Sequence, residues 1–320
     1  MTGEPALSGS LRARLLCWAF RHWLKPRSLG RPDIQASRDL MARLSRAPPR
    51  GTRSAPDRIG GVAGEWLLGP RESSRTLLYF HGGAYVVCSP ATHRPVTGAF
   101  ARRGFRVFVP DYRLAPEHPY PAALDDAAAV YRGLLAGGME PGRIALAGES
   151  AGGGLALALL ARLRDEGAPL PAAAALFSPW ADLSLAGESM RANEAADPMF
   201  HARHARWVAS LYLGHADPRD PGVSPVYADL TGLPPLLVHV GETELLLDDS
   251  RRIAEHARAC GVRLSLSIWR DVFHGWQLFP SVLPEARRSV DEAAAFLHAA
   301  MEERGSTAAR REAPPLRATG

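Results

Sequence analysis

Short apolar runs recur along the chain at 76–80, 107–110, 144–147, 174–177, 236–240 and 264–269. The first five are near-continuous rather than alternating, the pattern of strands covered on both faces. Between them lie stretches with helical spacing, at 95–102, 121–135, 151–165, 249–260 and 284–301. Strands alternating with helices over this length predict an α/β fold with a mostly parallel, doubly wound sheet. Residues 183–220 interrupt the alternation and hold Met199, Phe200, Trp207 and Tyr212, which reads as an inserted helical lid.

The two ends differ from this body, which runs from 59 to 301. Residues 1–58 read as an N-terminal cap helix followed by a linker. Within them, 11–24 sets Leu11, Leu15, Trp18 and Ala19 near one helical stripe, with Trp23 beside it and arginines between. Such a helix covers the mouth of the main domain, or, being basic and bearing Trp, touches a membrane surface. The stretch 47–58 has the composition of a linker. The Ala/Arg/Pro-rich end, 302–320, reads as a disordered tail.

Composition narrows the class. Of 320 residues, 46% are hydrophobic and 22% charged, the balance of an ordinary globular chain. The net charge of +5 is uneven: residues 1–58 carry twelve basic side chains against four acidic ones. The body is therefore acidic, and nucleic acid is not an expected partner. Every basic residue but Lys25 is an arginine. Cys17, Cys88 and Cys260 are odd in number and far apart, so neither a disulfide framework nor a zinc cluster is expected. With no run of 18 apolar residues and no signal-type apolar core, a cytoplasmic location is the expectation. No metal constellation, P-loop or dinucleotide fingerprint stands out, so no cofactor is expected. Assembly with a second copy is left open.

Two segments carry chemistry. Residues 143–153 run from a strand through Gly148-Glu149-Ser150-Ala151-Gly152 into an Ala/Leu helix. This is G-x-S-x-G in a strand–turn–helix context, which holds a serine in a tight turn with a helix N-terminus behind it. Residues 77–84 end another strand in His81-Gly82-Gly83-Ala84. Acyl transfer creates an oxyanion that needs fixed N–H donors, and the expected ones are Gly82, Gly83 and Ala151. His81 is expected to order the loop. A serine also needs a base. His274 follows the last strand, whereas most of the other histidines read as surface or core residues; His93 and His118 could line the pocket.

HGGA, DYRLAPEHPYPAALDDA (111–127), GESAGGGLALAL (148–159), SPWADLS (178–184), SPVYADLTGLPPLLVHVGE (224–242) and FHGWQLF (273–279) together resemble the hormone-sensitive-lipase-like group of α/β-hydrolases. The resemblance covers roughly 60–300. It implies an α/β-hydrolase fold, no cofactor and a serine carboxylesterase acting on small, short-acyl esters, with Ser150 as nucleophile and His274 as base. Lactone or N-acetyl hydrolysis would use the same groups. A non-catalytic ligand-binding relative lacks the histidine that this chain retains. The family pattern after the penultimate strand places the triad acid at Glu244, with Asp248 as the alternative. Two positions depart from the commonest motifs: HGGA for HGGG, and GESAG for GDSAG, where Glu149 keeps the charge and adds a methylene.

Overall fold

The structure is a computed structural model, described over residues 9–28 and 33–312. Helix α1 (Leu11–Ala19) starts at an N-cap serine, Ser10, whose hydroxyl accepts the Ala13 N–H. A π-helical turn, Phe20–Leu24, continues it. Helix α2 (Ile34–Leu44) is capped in the same way by Asp33. Then come β1 (Arg53–Ile59), β2 (Val62–Leu68), β3 (Thr76–Phe80), α3 (Arg94–Ala101), β4 (Arg106–Pro110), α4 (Ala122–Ala136), β5 (Ile144–Glu149) and α5 (Ala151–Asp165). The second half holds β6 (Ala174–Phe177), α6 (Ser189–Ala192), α7 (Ala202–Leu213), β7 (Leu236–Gly241), α8 (Leu247–Ala259), β8 (Leu264–Trp269) and α9 (Pro284–Glu312).

The eight strands form one sheet in the order β1-β2-β4-β3-β5-β6-β7-β8. Pairings from β4 to β8 are parallel, while β1–β2 and β2–β4 are antiparallel. The six strands expected from apolar runs are all present. The antiparallel pair β1–β2 was not expected, because Arg53–Ile59 reads RSAPDRI, an edge strand without an apolar run. Residues 53–58 are thus part of the sheet, not linker. Helix α9 likewise continues to Glu312, so 302–312 is helix where a disordered tail was expected; 313–320 lies outside the described residues.

Each face of the sheet is covered, as the unbroken apolar strands require. Leu78, Phe80, Leu146, Leu176 and Val238 face α4, α5 and α8. Tyr79, Ala145, Ala147, Ala175 and Phe177 face α3 and α9. In α9 the buried residues Val290, Ala293, Ala294, Leu297, Ala300 and Met301 repeat at helical spacing, and that stripe ends at Met301. A third cluster joins Ala13 and Cys17 of α1 to Trp269, Val272, Phe273 and Trp276, so the N-terminal helix lies on the segment after β8. No helix among the described residues is long and apolar enough to cross a membrane.

Candidate active site

Parallel strands leave their carboxyl ends on one edge of the sheet, where ligands of such folds bind. Four loops meet there, following β3, β5, β7 and β8. Ser150 lies between β5 and α5 with φ 56° and ψ −123°. That conformation costs a serine on the order of 1–3 kcal/mol and persists only if its surroundings impose it. They do. Its N–H donates to the Phe177 carbonyl at 2.8 Å, and its carbonyl accepts from Gly153, Gly154 and Trp180. The two motif glycines are needed for space. A Cβ on Gly148 would stand 2.1 Å from the Gly152 carbonyl oxygen, and one on Gly152 would stand 2.1 Å from that of Phe80.

His274 and Glu244 meet from the two neighbouring loops. His274 Nδ1 lies 2.6 Å from Glu244 Oε2. The other oxygen, Oε1, accepts from the Ser178 hydroxyl at 2.8 Å and the Gly241 N–H at 2.6 Å. The carboxylate is thus fixed from behind and holds the imidazole with its proton on Nδ1. Both side chains are buried. Phe200, from the segment between α6 and α7 that the sequence reads as a lid, sets its ring edge-on to His274 at 4.9 Å. Phe20 packs against Phe273 at 4.7 Å, and Cys17 donates to the Asp271 carbonyl, so the cap helix rests on the loop that carries His274. The alternative acid, Asp248, points elsewhere: it accepts the Ser189 N–H at 2.7 Å and pairs with Arg251.

Glu149 brings a second carboxylate to the same imidazole. Its Oε1 lies 3.0 Å from His274 Nε2, off the axis of the ring nitrogen, so no hydrogen bond joins them. Burial alone would drive the imidazole towards its neutral form. The charges of Glu244 and Glu149 outweigh burial and raise His274 to about 10. Burial opposes the charge of Glu149 too, yet His274 and His93 hold its carboxyl well below the usual range.

The oxyanion loop departs in part from expectation. The Gly82 N–H donates to His93 Nε2 at 3.0 Å, so that amide is engaged within the protein. The N–H groups of Gly83, Ala84 and Ala151 donate to no other group among the described residues. Ala84 takes the third position of the motif at φ 55°, in the left-handed region that favours glycine. His81 stacks on Tyr112 at 4.2 Å, and Tyr112 donates its hydroxyl to the His81 carbonyl. Burial pushes His81 down to about 3, so it stays neutral and orders the loop.

Three participants escape a reading by motif. Ser178 sits just past β6, in a segment whose only sequence signal is SPWADLS. His93 lies eleven residues past Gly82, with nothing local to mark it as that amide's acceptor. Glu149 is visible as a motif letter, but its side-chain direction is set by the turn. A cavity of about 810 Å³ opens between α6 and α7 beside Leu185, Met190 and His201 and is lined by none of Ser150, Glu244 or His274.

A family model described as the alpha/beta hydrolase fold matches residues 77–278. An acetyl-hydrolase of Streptomyces hygroscopicus is 46% identical over 246 residues, covering 77% of this chain and 82% of that protein. An esterase of Acinetobacter venetianus is 37% identical over 265 residues, 82% of this chain and 88% of the relative. Among solved structures, an esterase of the bacterial hormone-sensitive lipase family superposes with a TM-score of 0.86 at 41% identity, covering 92% of this chain and 100% of that one. The esterase EstE5, in a crystal soaked with p-nitrophenyl butyrate, superposes with a TM-score of 0.88 at 37% identity, covering 92% and 99%.

Proposed function

The chain belongs to the hormone-sensitive-lipase family of α/β-hydrolases and is a carboxylesterase, and we propose that it cleaves small esters of short acyl chains with Ser150, His274 and Glu244. The observation that carries this assignment is the Glu244–His274 pair, fixed by Ser178 and Gly241 at the strand edge that also presents Ser150.

In this mechanism His274 Nε2 takes the Ser150 hydroxyl proton as Oγ bonds to the ester carbonyl carbon. The carbonyl electron pair moves to oxygen, and that charge is met by the N–H groups of Gly83, Ala84 and Ala151. Glu244, across the ring, stabilises the imidazolium without taking its proton. The tetrahedral centre collapses, the C–O bond to the alcohol breaks, and Nε2–H returns a proton to the leaving oxygen. Water, deprotonated by the same nitrogen, then releases the acid and regenerates Ser150. The short-acyl preference is supported by the aromatic side chains packed around the elbow. Tyr85 stacks on Tyr212 at 3.7 Å and lies beside Trp180, and all three are buried. Butyrate, the acyl group in the EstE5 soak, is the length we assign to this chain as well.

The test is p-nitrophenol release from esters of increasing acyl length, for the wild type and for Ser150→Ala. The expected result is turnover highest on acetate to butyrate and a fall of about 10⁴-fold or more in kcat for the variant. Equal turnover on long chains would refute the pocket size, and retained activity in the variant would refute the nucleophile.

A lipid surface is the partner we propose for the cap. Leu11, Leu15, Trp18, Trp23 and Leu24 are exposed on it, with Arg12 and Arg14 exposed beside them. An apolar stripe with tryptophans and basic flanks is the composition of interfacial helices. Sedimentation with anionic vesicles should lose the protein to the pellet, and Trp18→Ser with Trp23→Ser should return it to the supernatant; wild type that stays in the supernatant would rule the contact out. A cytoplasmic location is the reading we favour, supported by three cysteines that remain free.

A further inference from the structure

The two carboxylates at His274 are held in opposite ways. Glu244 is a satisfied acceptor, bonded by a hydroxyl and a backbone N–H besides the imidazole. Glu149 is as deeply buried but has no such support. Its nearest polar partners are two imidazoles: His274 Nε2 at 3.0 Å from Oε1 and His93 Nε2 at 3.4 Å from Oε2. The His93 nitrogen already accepts the Gly82 N–H, so it offers Glu149 no proton in that state. A buried carboxylate whose partners are two imidazoles and no backbone N–H or hydroxyl is costly to keep, which asks what its charge does there.

The surroundings are shaped to admit it. A Cβ on Gly82 would lie 2.0 Å from Glu149 Oε2. A Cβ on Gly275 would lie 3.1 Å from Oε1, at a residue whose φ is +72°. The carboxylate thus occupies a slot between the backbones of the oxyanion loop and the His274 loop, and both lack side chains where it passes. The slot sets Oε1 beside the ring nitrogen that receives the Ser150 proton, away from the nitrogen that Glu244 holds.

We propose that Glu149 is a positioning residue for the esterase reaction: it supplies the second negative charge facing the His274 imidazolium, at Nε2, and ties that charge to the oxyanion loop through His93. The inference rests on the reading of His274 as the base. When Nε2 takes the serine proton the ring becomes a cation with a carboxylate at each nitrogen. Because Oε1 stands off the N–H axis, it attracts the cation without competing for the proton that must go on to the alcohol. The charges acting on the ring are those of Glu244 and Glu149; Asp271, Asp197 and Arg21 act on Cys17, which packs with the His274 loop.

The sign of the consequence follows. His274 must be neutral to act, and a neighbouring anion favours its charged form. Removing the anion lowers the imidazole's pKa and moves the acidic limb of kcat/KM to lower pH. The test compares kcat and kcat/KM from pH 5 to 10 on p-nitrophenyl acetate for wild type, Glu149→Gln and Glu149→Asp, with active sites counted by the acyl-enzyme burst. Glu149→Gln should move the limb down by about one to three pH units, the usual effect of one charge at this range. Its plateau kcat should fall about tenfold or more, since the transition state loses the partner of its cation. Glu149→Asp, which restores the charge, should bring back most of both. A folded Glu149→Gln enzyme whose limb stays in place would overturn the proposal, as would a limb that moves equally in both variants. If Glu149→Gln does not fold, Glu149→Ala takes its place: a limb moved down beside an unmoved Glu149→Asp limb supports the proposal, and an unmoved Glu149→Ala limb overturns it. The base itself is checked separately with His274→Ala. Full activity in that variant would remove both readings; an inactive His274→Ala beside an unmoved Glu149→Gln limb would remove this one only.

Discussion

The elbow at the end of β5 and the cap above it are built by different means. The elbow is fixed by backbone proximity: two glycines that leave no room for a Cβ, and a serine whose own N–H and carbonyl are both bonded to neighbouring chain. The cap is tied down by long cationic side chains that reach backbone carbonyls. Lys25 donates to the carbonyls of Glu194 and Asp197, and Arg21 to that of Ala196, all in the lid. Arg38 of α2 donates to the carbonyls of Val86 and Ala115 beside the oxyanion loop. Backbone packing tolerates sub-ångström displacement at most, which suits a nucleophile. Flexible side chains on carbonyls can let go and re-form, which leaves this contact more adjustable than the elbow.

The contrast predicts unequal costs. The largest effect within this set is expected at the sheet edge. Glu244→Gln should cut kcat by about 10³–10⁴-fold, because an amide can turn its NH₂ towards Nδ1 and favour the wrong tautomer. Steady-state kinetics at saturating ester would measure it, and a variant near wild type would place the acid elsewhere. In the cap, Lys25→Met should weaken the lid by about 1–3 kcal/mol, the loss of charged hydrogen bonds to carbonyls left buried. Limited proteolysis should cut the lid faster, while kcat on acetate stays within a few fold; a collapse of kcat there would break the division drawn between the regions. The smallest effect belongs to Asp248→Asn, whose side-chain oxygen can still accept the Ser189 N–H. A kcat change above about tenfold would contradict its role as a lid tie, since one exposed-side hydrogen bond contributes about 1 kcal/mol.

These regions also differ in how far the sequence discloses them. The sheet edge was legible because unbroken apolar strands and glycine-framed motifs act locally: β3, β6 and β8 end where the runs end, and Ser150 falls in the turn after β5. The edge pair β1–β2 was not, because Arg53–Ile59 is polar and is recruited by pairing with Val62–Leu68. The extent of α9 past Met301 was missed because its apolar stripe stops there while its helix-favouring residues continue. At the site, Glu244 could be placed from its position in the chain. That Gly82 gives its N–H to His93, and that Glu149 turns towards His274, depends on contacts between loops 11 to 125 residues apart, which no local pattern encodes.

Lys25 is the only lysine in the chain, and it is buried where the cap meets the lid. The protein therefore carries a single side-chain amine, placed where the N-terminal segment meets residues 194–197. Amine-directed acylation of that nitrogen, followed by mass, would report how often this contact parts. A compositional preference for arginine has thus left one amine, at a buried contact, to report on that contact alone.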